Sequence, residues 1–316
     1  MDNIESLNAG WADPDAPVAE DYRCGTVALL GRPNVGKSTL MNRIVGAKVA
    51  IVTPKPQTTR HRILGIHTDE HSQMVFVDTP GIHKGDKQLN RNMVRVAYAA
   101  AEEADVLVIM QDLSKPMDHA TSTLIKGFAD GRLKQPRLHV LNKVDQMTHA
   151  ALLPRLAEVQ RLDPDAAAYI PLSARKGVQV DALLKEITRL LPEAPPVYAA
   201  DWFTDQSQRQ LAAEYVREQV FLAMQQEIPF QTAVEIEAFG EDETGMSIEA
   251  AILVGSERHK PMLIGKGGER MKDIGTKARK GLQDLFDCPV DLRLWVRVQP
   301  DWFDNPGRLQ DLGLDG

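Results

Sequence analysis

The stretch Gly31 to Ser38, read GRPNVGKS, constrains the fold of this chain more than any other. It fits G-x-x-x-x-G-K-[ST], a pattern that carries chemistry only between a strand and a helix. Both are predicted. Cys24–Leu30 is a short apolar run of buried-strand character, and Lys37–Val45 has helical spacing. Gly31 and Gly36 permit turns that a Cβ forbids. The loop Gly31, Arg32, Pro33, Asn34, Val35, Gly36, Lys37, Ser38 and Thr39 would then wrap oxyanions at the positive end of a helix dipole. Lys37 would reach β- and γ-phosphates, and the Ser38 hydroxyl would hold Mg2+. The bland alternative is a chance match on a glycine turn. Even a true phosphate loop does not separate an ATP user from a GTP user.

With 316 residues the chain exceeds one typical domain, so two are expected. The net charge of -7 argues against indiscriminate coating of nucleic acid. A local basic patch is still allowed, because exposed charges are screened beyond about 10 Å in salt. Cys24 and Cys288 lie far apart, form no metal or redox spacing, and read as small buried apolar residues. No apolar run approaches the ~18 residues of a membrane span, and the N-terminus lacks the look of a secretion signal, so a soluble, cytosolic chain is expected.

Residues 1–20 carry Asp2, Glu5, Asp13, Asp15 and Glu20 without Lys or Arg and read as a disordered acidic tail. From residue 21 to 193 strands and helices alternate. Strands are predicted at Cys24–Leu30, Ile63–Thr68, Met74–Asp78, Val106–Gln111, Arg137–Leu141 and Ala168–Leu172. Helices are predicted near Lys37–Val45, Asn90–Glu103, Ala120–Phe128, Ala150–Leu162 and Val180–Leu191. The alternation implies an α/β domain with a mostly parallel sheet and helices on both faces. The polar turn DEHSQ would join Ile63–Thr68 and Met74–Asp78 as a hairpin that places one antiparallel strand at an edge. The proline-rich PEAPPVYAAD opens an extended linker, residues 194–206. Residues 207–303 then form a separate α+β unit: a helix near Ser207–Gln226, strands at Thr232–Phe239 and Met246–Val254, a helical turn, a glycine loop, a helix near Arg270–Leu285, and the strand VDLRLWVRV. Residues 304–316 read as a loose tail. The helix containing EYVREQVFLAMQQ is amphipathic, and a core face is expected rather than a membrane face.

Three further motifs follow the phosphate loop. Asp78-Thr79-Pro80-Gly81 ends a predicted strand, where the aspartate would hold Mg2+ through a water and the Gly81 amide would meet a γ-phosphate. A plain turn of D-x-P-G type is the alternative. Asn142-Lys143-Val144-Asp145 follows RLHVL. The Asp145 carboxylate would accept from the ring N–H and the exocyclic amine of guanine, each charge-assisted bond being worth roughly 1.5–3 kcal/mol. Adenine offers neither donor on that edge, and such sites reject the wrong partner by about 10⁴-fold or more. Ser173-Ala174-Arg175, after YIPLS, would offer backbone amides to the guanine carbonyl.

In this order at strand ends, the four motifs resemble the GTPase signature, and VTPKPQTTRHRILGIHT, VDTPGIHK and LNKVD resemble the Era family within the TrmE–Era branch. The resemblance spans about Tyr22 to Phe303. It implies a first switch near Lys48–Arg62, where Thr59, or alternatively Thr58, would bind Mg2+ and the γ-phosphate, and a second near Ile82–Leu89. It also exposes a departure. Ile82 stands where Ras-like enzymes have a water-positioning glutamine, so slow intrinsic hydrolysis of GTP to GDP is expected and no catalytic residue is assigned. In TrmE-like proteins a phosphate-loop asparagine helps hold K+, and Asn34 matches it; an asparagine that merely suits a tight turn is the equal alternative.

The second unit carries Ile264-Gly265-Lys266-Gly267-Gly268 before a helix, which fits the GXXG loop of a KH fold that clamps about four nucleotides of single strand. Its element order agrees with the prokaryotic form. From Arg258 to Lys280 stand Arg258, Lys260, Lys266, Arg270, Lys272, Lys277, Arg279 and Lys280 against only Glu269 and Asp273, a local reversal of sign. A solvated helix face is the alternative. The strands beside the loop are candidates for base contacts. Trp295 reads as core, Trp202, Trp302 and Phe303 as docking points for linker and tail, and His61, His67 and His83 as structural. The resemblance implies a switch that binds the 3′ end of 16S rRNA and assists assembly of the small ribosomal subunit, a monomer with peripheral contact to the cell membrane in some relatives. The competing classes are a metabolic phosphate-loop enzyme and a membrane-associated GTPase with a non-RNA partner.

Overall fold

The computed structural model describes residues 21–55, 58–82, 88–224, 228–300, 302–312 and 314. The acidic stretch 1–20, His83 and most of the loop after Ile82 lie outside the described residues. Two units result. Met1–Val49, Arg62–His83 and Val94–Asp205 form the first; Ala50–His61, Lys84–Met93 and Gln206–Gly316 form the second. The expected contiguous blocks therefore differ from the packing at two internal segments.

The first unit runs β1 (Arg23–Gly31), α1 (Lys37–Val45), β2 (Ile63–Thr68), β3 (Ser72–Asp78), α2 (Gln88–Glu103, whose start belongs to the second unit), β4 (Val106–Asp112), α3 (His119–Ala129), β5 (Arg137–Asn142), α4 (His149–Leu162), β6 (Ala168–Leu172) and α5 (Val180–Leu190). The sheet order is β2-β3-β1-β4-β5-β6, with only β2 antiparallel. Central strands of such a sheet are covered on both faces, which is why β1 reads as unbroken apolar sequence. Ala28, Leu30, Leu107 and Ile109 pack under Ala101 of α2 and Leu124 and Phe128 of α3. On the other face α1 approaches so closely that a Cβ on Gly65 would lie 2.8 Å from Met41 Cγ.

The segment expected as a linker is bonded to this unit. The buried Gln73 accepts from Val197 N (2.7 Å) and Tyr198 N (2.8 Å) and donates to Tyr198 O (2.7 Å). Ile66 N donates to Phe203 O at 3.0 Å, so the linker continues the β2 edge. Trp202 stacks on Tyr198 with ring centroids 6.0 Å apart. A second polar knot centres on the buried Asp163 and His139. Asp163 accepts from Arg137 Nε and Nη2 (2.8 and 2.9 Å) and lies 2.9 Å from His139 Nε2.

The second unit contains α6 (Gln208–Ala223), β7 (Thr232–Asp242), β8 (Gly245–Val254), α7 (His259–Ile264), α8 (Glu269–Phe286), β9 (Val290–Val298) and α9 (Pro306–Asp311). β7 and β8 are antiparallel, β8 and β9 parallel, in that order. A Ser207–Gln210 capping box starts α6, satisfying two amides that a helix start leaves bare. Val216 and Val220 of α6 and Ile274 and Ala278 of α8 pack on Ile252 and Val254. The loose tail is corrected. Asn305 accepts from Arg308 N and Pro306 opens α9, while Trp302, Leu309 and Leu314 are buried against Ala233, Ala251 and Leu253. A six-residue helix is too short to show a period, so the sequence hides it. The expected core face of α6 is present, with Val216 and Val220 in it, and its polar side is covered as well. Glu214, Arg217 and Glu218 are buried, because the segment Ala50–His61 covers them.

Candidate functional site

The phosphate loop closes on backbone geometry. Gly31 takes φ +146°, and a Cβ there would lie 2.6 Å from Met110 O. Gly36 takes φ +105°, and its Cβ would lie 2.2 Å from Asn142 Nδ2, so no other residue fits either place. Gly81 is equally tight, its Cβ position 2.6 Å from Pro33 N. Asn34 holds φ +64°, as a turn asparagine can.

Lys37 is buried, its Nζ donating to the carbonyls of Arg32 (3.3 Å) and Gly31 (3.4 Å). Burial pushes its ammonium below the usual lysine range, and the Asp78 charge opposes that. A buried cation beside loop amides is a receptor for phosphate oxygens. Ser38 Oγ donates to Asp78 Oδ2 at 2.5 Å. Hydroxyl and carboxylate are the hard oxygen donors that Mg2+ selects, so this pair fits the ion. Thr79 Oγ1 donates to Leu29 O at 2.7 Å and fixes the strand end, and Pro80 is buried beside it. Ile82 N donates to Gly31 O at 3.1 Å, while its half-buried side chain packs on the Ala28–Leu30 core. It brings no polar atom to the loop.

The base-side motifs converge on Asn142. Its Nδ2 donates to Val35 O (2.7 Å), and its Oδ1 accepts from Lys143 N (2.8 Å) and Ala174 N (3.0 Å). One buried amide thus ties the phosphate loop to both base motifs. The Ala174 amide, expected to face a guanine carbonyl, is here given to Asn142. Asp145 is exposed, and Ser173 Oγ donates to its Oδ1 at 2.6 Å, which sets the plane of the carboxylate. An open cavity of about 340 Å³ lies against Asp145, walled by Val144, Met147, Leu152, Pro171 and Val178. Sequence reading missed Asp112, whose Oδ2 lies 2.6 Å from Lys143 Nζ. Its place at the carboxyl end of β4 is the signal, since ligands of open α/β sheets sit there.

Thr58 and Thr59 belong to the second unit. Thr58 Oγ1 donates to Lys55 O (3.0 Å), Thr58 O accepts from Arg217 Nη2 (2.5 Å), and Thr59 is buried. Next to them Arg60, only 2 % exposed, donates to the carbonyls of Thr232 (2.6 Å), Pro229 (2.9 Å) and Phe230 (3.2 Å). Its guanidinium lies over the rings of Phe221 and Trp302 at 5.5 and 5.8 Å. Burial, then Arg217, work against its charge, and Glu214 supports it. Glu218 Oε1 accepts from Val52 N at 3.1 Å, and Lys55 Nζ donates to Phe221 O and Met224 O, the bare carbonyls that end α6.

The glycine loop of the second unit also fits its motif. Gly265, Gly267 and Gly268 take φ of +75°, +61° and +81°, and nothing lies within 4 Å of a Cβ built on the last two. Lys266 stands exposed at the tip, and Ile264 is half-buried. On α8, Ile274, Ala278 and Leu282 face the core, while Arg270, Lys272, Lys277, Arg279 and Lys280 are exposed. Arg270 donates to Met262 O, and Lys277 pairs with Asp273 at 2.8 Å. The surface is cationic, with backbone open to a phosphodiester. Among the described residues no group of His, Cys, Asp and Glu is placed to hold a metal, and no helix is long and apolar enough to cross a membrane.

Comparison with known proteins agrees with both halves. A family model described as a 50S ribosome-binding GTPase matches residues 26–143, and a KH domain model matches residues 227–303. The chain is 45% identical over 296 residues to the GTPase Era of Stenotrophomonas maltophilia, covering 93% of this chain and 98% of that one. It is 43% identical over 303 residues to the GTPase Era of Nitratidesulfovibrio vulgaris, with the same coverage. Among solved structures, a variant of Aquifex aeolicus Era bound to GDP.AlF4- superposes with a TM-score of 0.89 at 37% identity, over 92% of this chain and 99% of that one. Era in complex with MgGDPNP and nucleotides 1506-1542 of 16S ribosomal RNA matches with TM-score 0.89 at 37% identity, over 93% and 99%. Motif geometry, domain order and near full-length similarity lead to one assignment: the chain belongs to the Era family of GTPases, a phosphate-loop GTPase domain joined to a KH domain.

Proposed function

We propose that this chain is a Mg2+-dependent switch that binds the 3′ end of 16S rRNA through its KH loop and assists assembly of the small ribosomal subunit. Ser38 and Asp78 would hold the ion, with Thr59 joining in the GTP state; the ion would neutralise charge on the β- and γ-phosphates. Lys37 and the loop amides orient the phosphates, and Asp145, set by Ser173, selects guanine. With Ile82 in place of a polar side chain, hydrolysis is slow.

One observation carries the RNA reading: the open positive-φ glycines and the exposed cations of α8 lie on one loop and helix of an otherwise acidic chain. The same unit holds Ala50–His61, and Arg60 bonds that segment to the start of β7; order in the first switch would thereby alter how the RNA surface is presented. A synthetic RNA of the 16S 3′ end should bind the full chain and lose affinity at least about tenfold with Gly268→Asp, which places a charge where φ is +81°. Binding that survives this change, or binding to anionic vesicles but not to RNA, counts against the reading. K+ at Asn34 is a separate proposal. Potassium in place of sodium should raise the hydrolysis rate and Asn34→Ala should abolish the gain, whereas equal rates leave asparagine as a turn residue.

A further inference from the structure

Asp112 closes β4 directly beside Asn142 of β5, its register partner. Its Oδ1 accepts from Ser114 N (3.0 Å) and Ser114 Oγ (2.5 Å), and its Oδ2 lies 2.6 Å from Lys143 Nζ. The same ammonium donates to Asn34 O in the phosphate loop at 3.0 Å. The carboxylate is 10% exposed, so water screens this pair weakly. Lys143 and Asn34 both hold positive φ, +71° and +64°. Asparagine adopts that conformation readily in turns, but a lysine keeps it only where the surroundings over-determine it. Around Lys143 the fixing groups are Asn142 Oδ1 on its amide and, on its ammonium, Asp112 and the Asn34 carbonyl.

We infer that Asp112 is a positioning residue for guanine-nucleotide binding: its carboxylate holds Lys143 Nζ on the Asn34 carbonyl, which locks the phosphate loop and the base-recognition loop in one register. Asn142 is the uncharged brace between the same two loops, and Asp112 supplies the charged one. Both Asp112 oxygens are engaged by Ser114 and Lys143, so it acts through Lys143. The inference rests on the chain being a GTPase and is independent of any RNA partner.

The test is release of labelled GDP from the full chain. Asp112→Asn keeps an oxygen for the Ser114 turn and removes the charge. It should speed release about tenfold, the worth of one charge-assisted hydrogen bond. The change should fall on release and KM far more than on kcat. Lys143→Met keeps the aliphatic stem and should speed release at least as much. The double variant should be no faster than Lys143→Met alone, because both changes break one contact. Effects that multiply in the double variant overturn the proposal, as does ordinary release from Asp112→Asn. If Asp112 only shapes its turn, Ser114→Ala will speed release while Asp112→Asn does not, and that also overturns it. Should Asp112→Asn fold poorly, unaltered release from Lys143→Met overturns the proposal from the other partner.

Discussion

The phosphate loop and the segment Ala50–His61 both hold strongly basic residues away from water, by opposite means. Lys37 sits in a cradle made of main chain and glycine, bonded to two local carbonyls and in the field of the Asp78 carboxylate. Arg60 is sealed among carbonyls, rings and a second arginine contributed from residues 150 or more positions distant. The first arrangement leaves a cation ready for an incoming anion. The second spends its donors inside the protein and so fastens a segment in place. A buried charge must find one of these outcomes, because unpaired burial is costly.

Perturbing each side sharpens the contrast. The largest effect is expected at the recognition carboxylate. Asp145→Ala should reduce discrimination of GTP over ATP by roughly 10²–10⁴-fold, as two charge-assisted bonds of about 1.5–3 kcal/mol each are lost; competition binding reads it. Next comes the fastening side. Arg60→Ala bares three carbonyls, two of them buried, and should destabilise the second unit by about 3–5 kcal/mol in denaturant unfolding, while GTP affinity changes much less.

A control inside the first unit separates structural charge from functional charge. Burial would raise the Asp163 carboxyl, but hydrogen bonds from His139 and Arg137 hold it well below the usual carboxylate range. Its folded pKa is depressed, so its contribution is full above the unfolded value near about 4 and is lost as pH falls through the folded value. Asp163→Ala should cost about 3–5 kcal/mol at neutral pH and flatten the loss of stability below about pH 4, leaving nucleotide selectivity intact. The smallest effect is expected on the outer sheet face, where Arg297 pairs with Glu235 and Glu237. Its side chain is 44% exposed, and Arg297→Gln should shift stability by less than about 1 kcal/mol.

The same contrast governs what was legible in the sequence. Gly31, Gly36, Lys37 and Ser38 act through local backbone, so spacing alone places them, and the six strands of the first sheet follow from short, mainly apolar runs between helical stretches. The KH glycines are legible for the same reason. Arg60, Arg217 and Glu214 look like ordinary surface charges in sequence, because only tertiary packing brings them together. Asp112 and Gln73 are hidden likewise, each a single polar residue at a strand end or interior whose partner lies 31 or 124 positions away. Helix α9 was missed because six residues show no period, and its burial depends on Trp302 and on a sheet face formed elsewhere in the chain.

The most direct test is RNA affinity of the full chain in two nucleotide states. Titration of a 16S 3′-end RNA against protein held in GDP, and in a non-hydrolysable GTP analogue with Mg2+, should give dissociation constants that differ by about tenfold or more, a coupling of about 1.4 kcal/mol. In Arg60→Ala the two constants should move together. Equal constants in the unaltered chain would contradict the account.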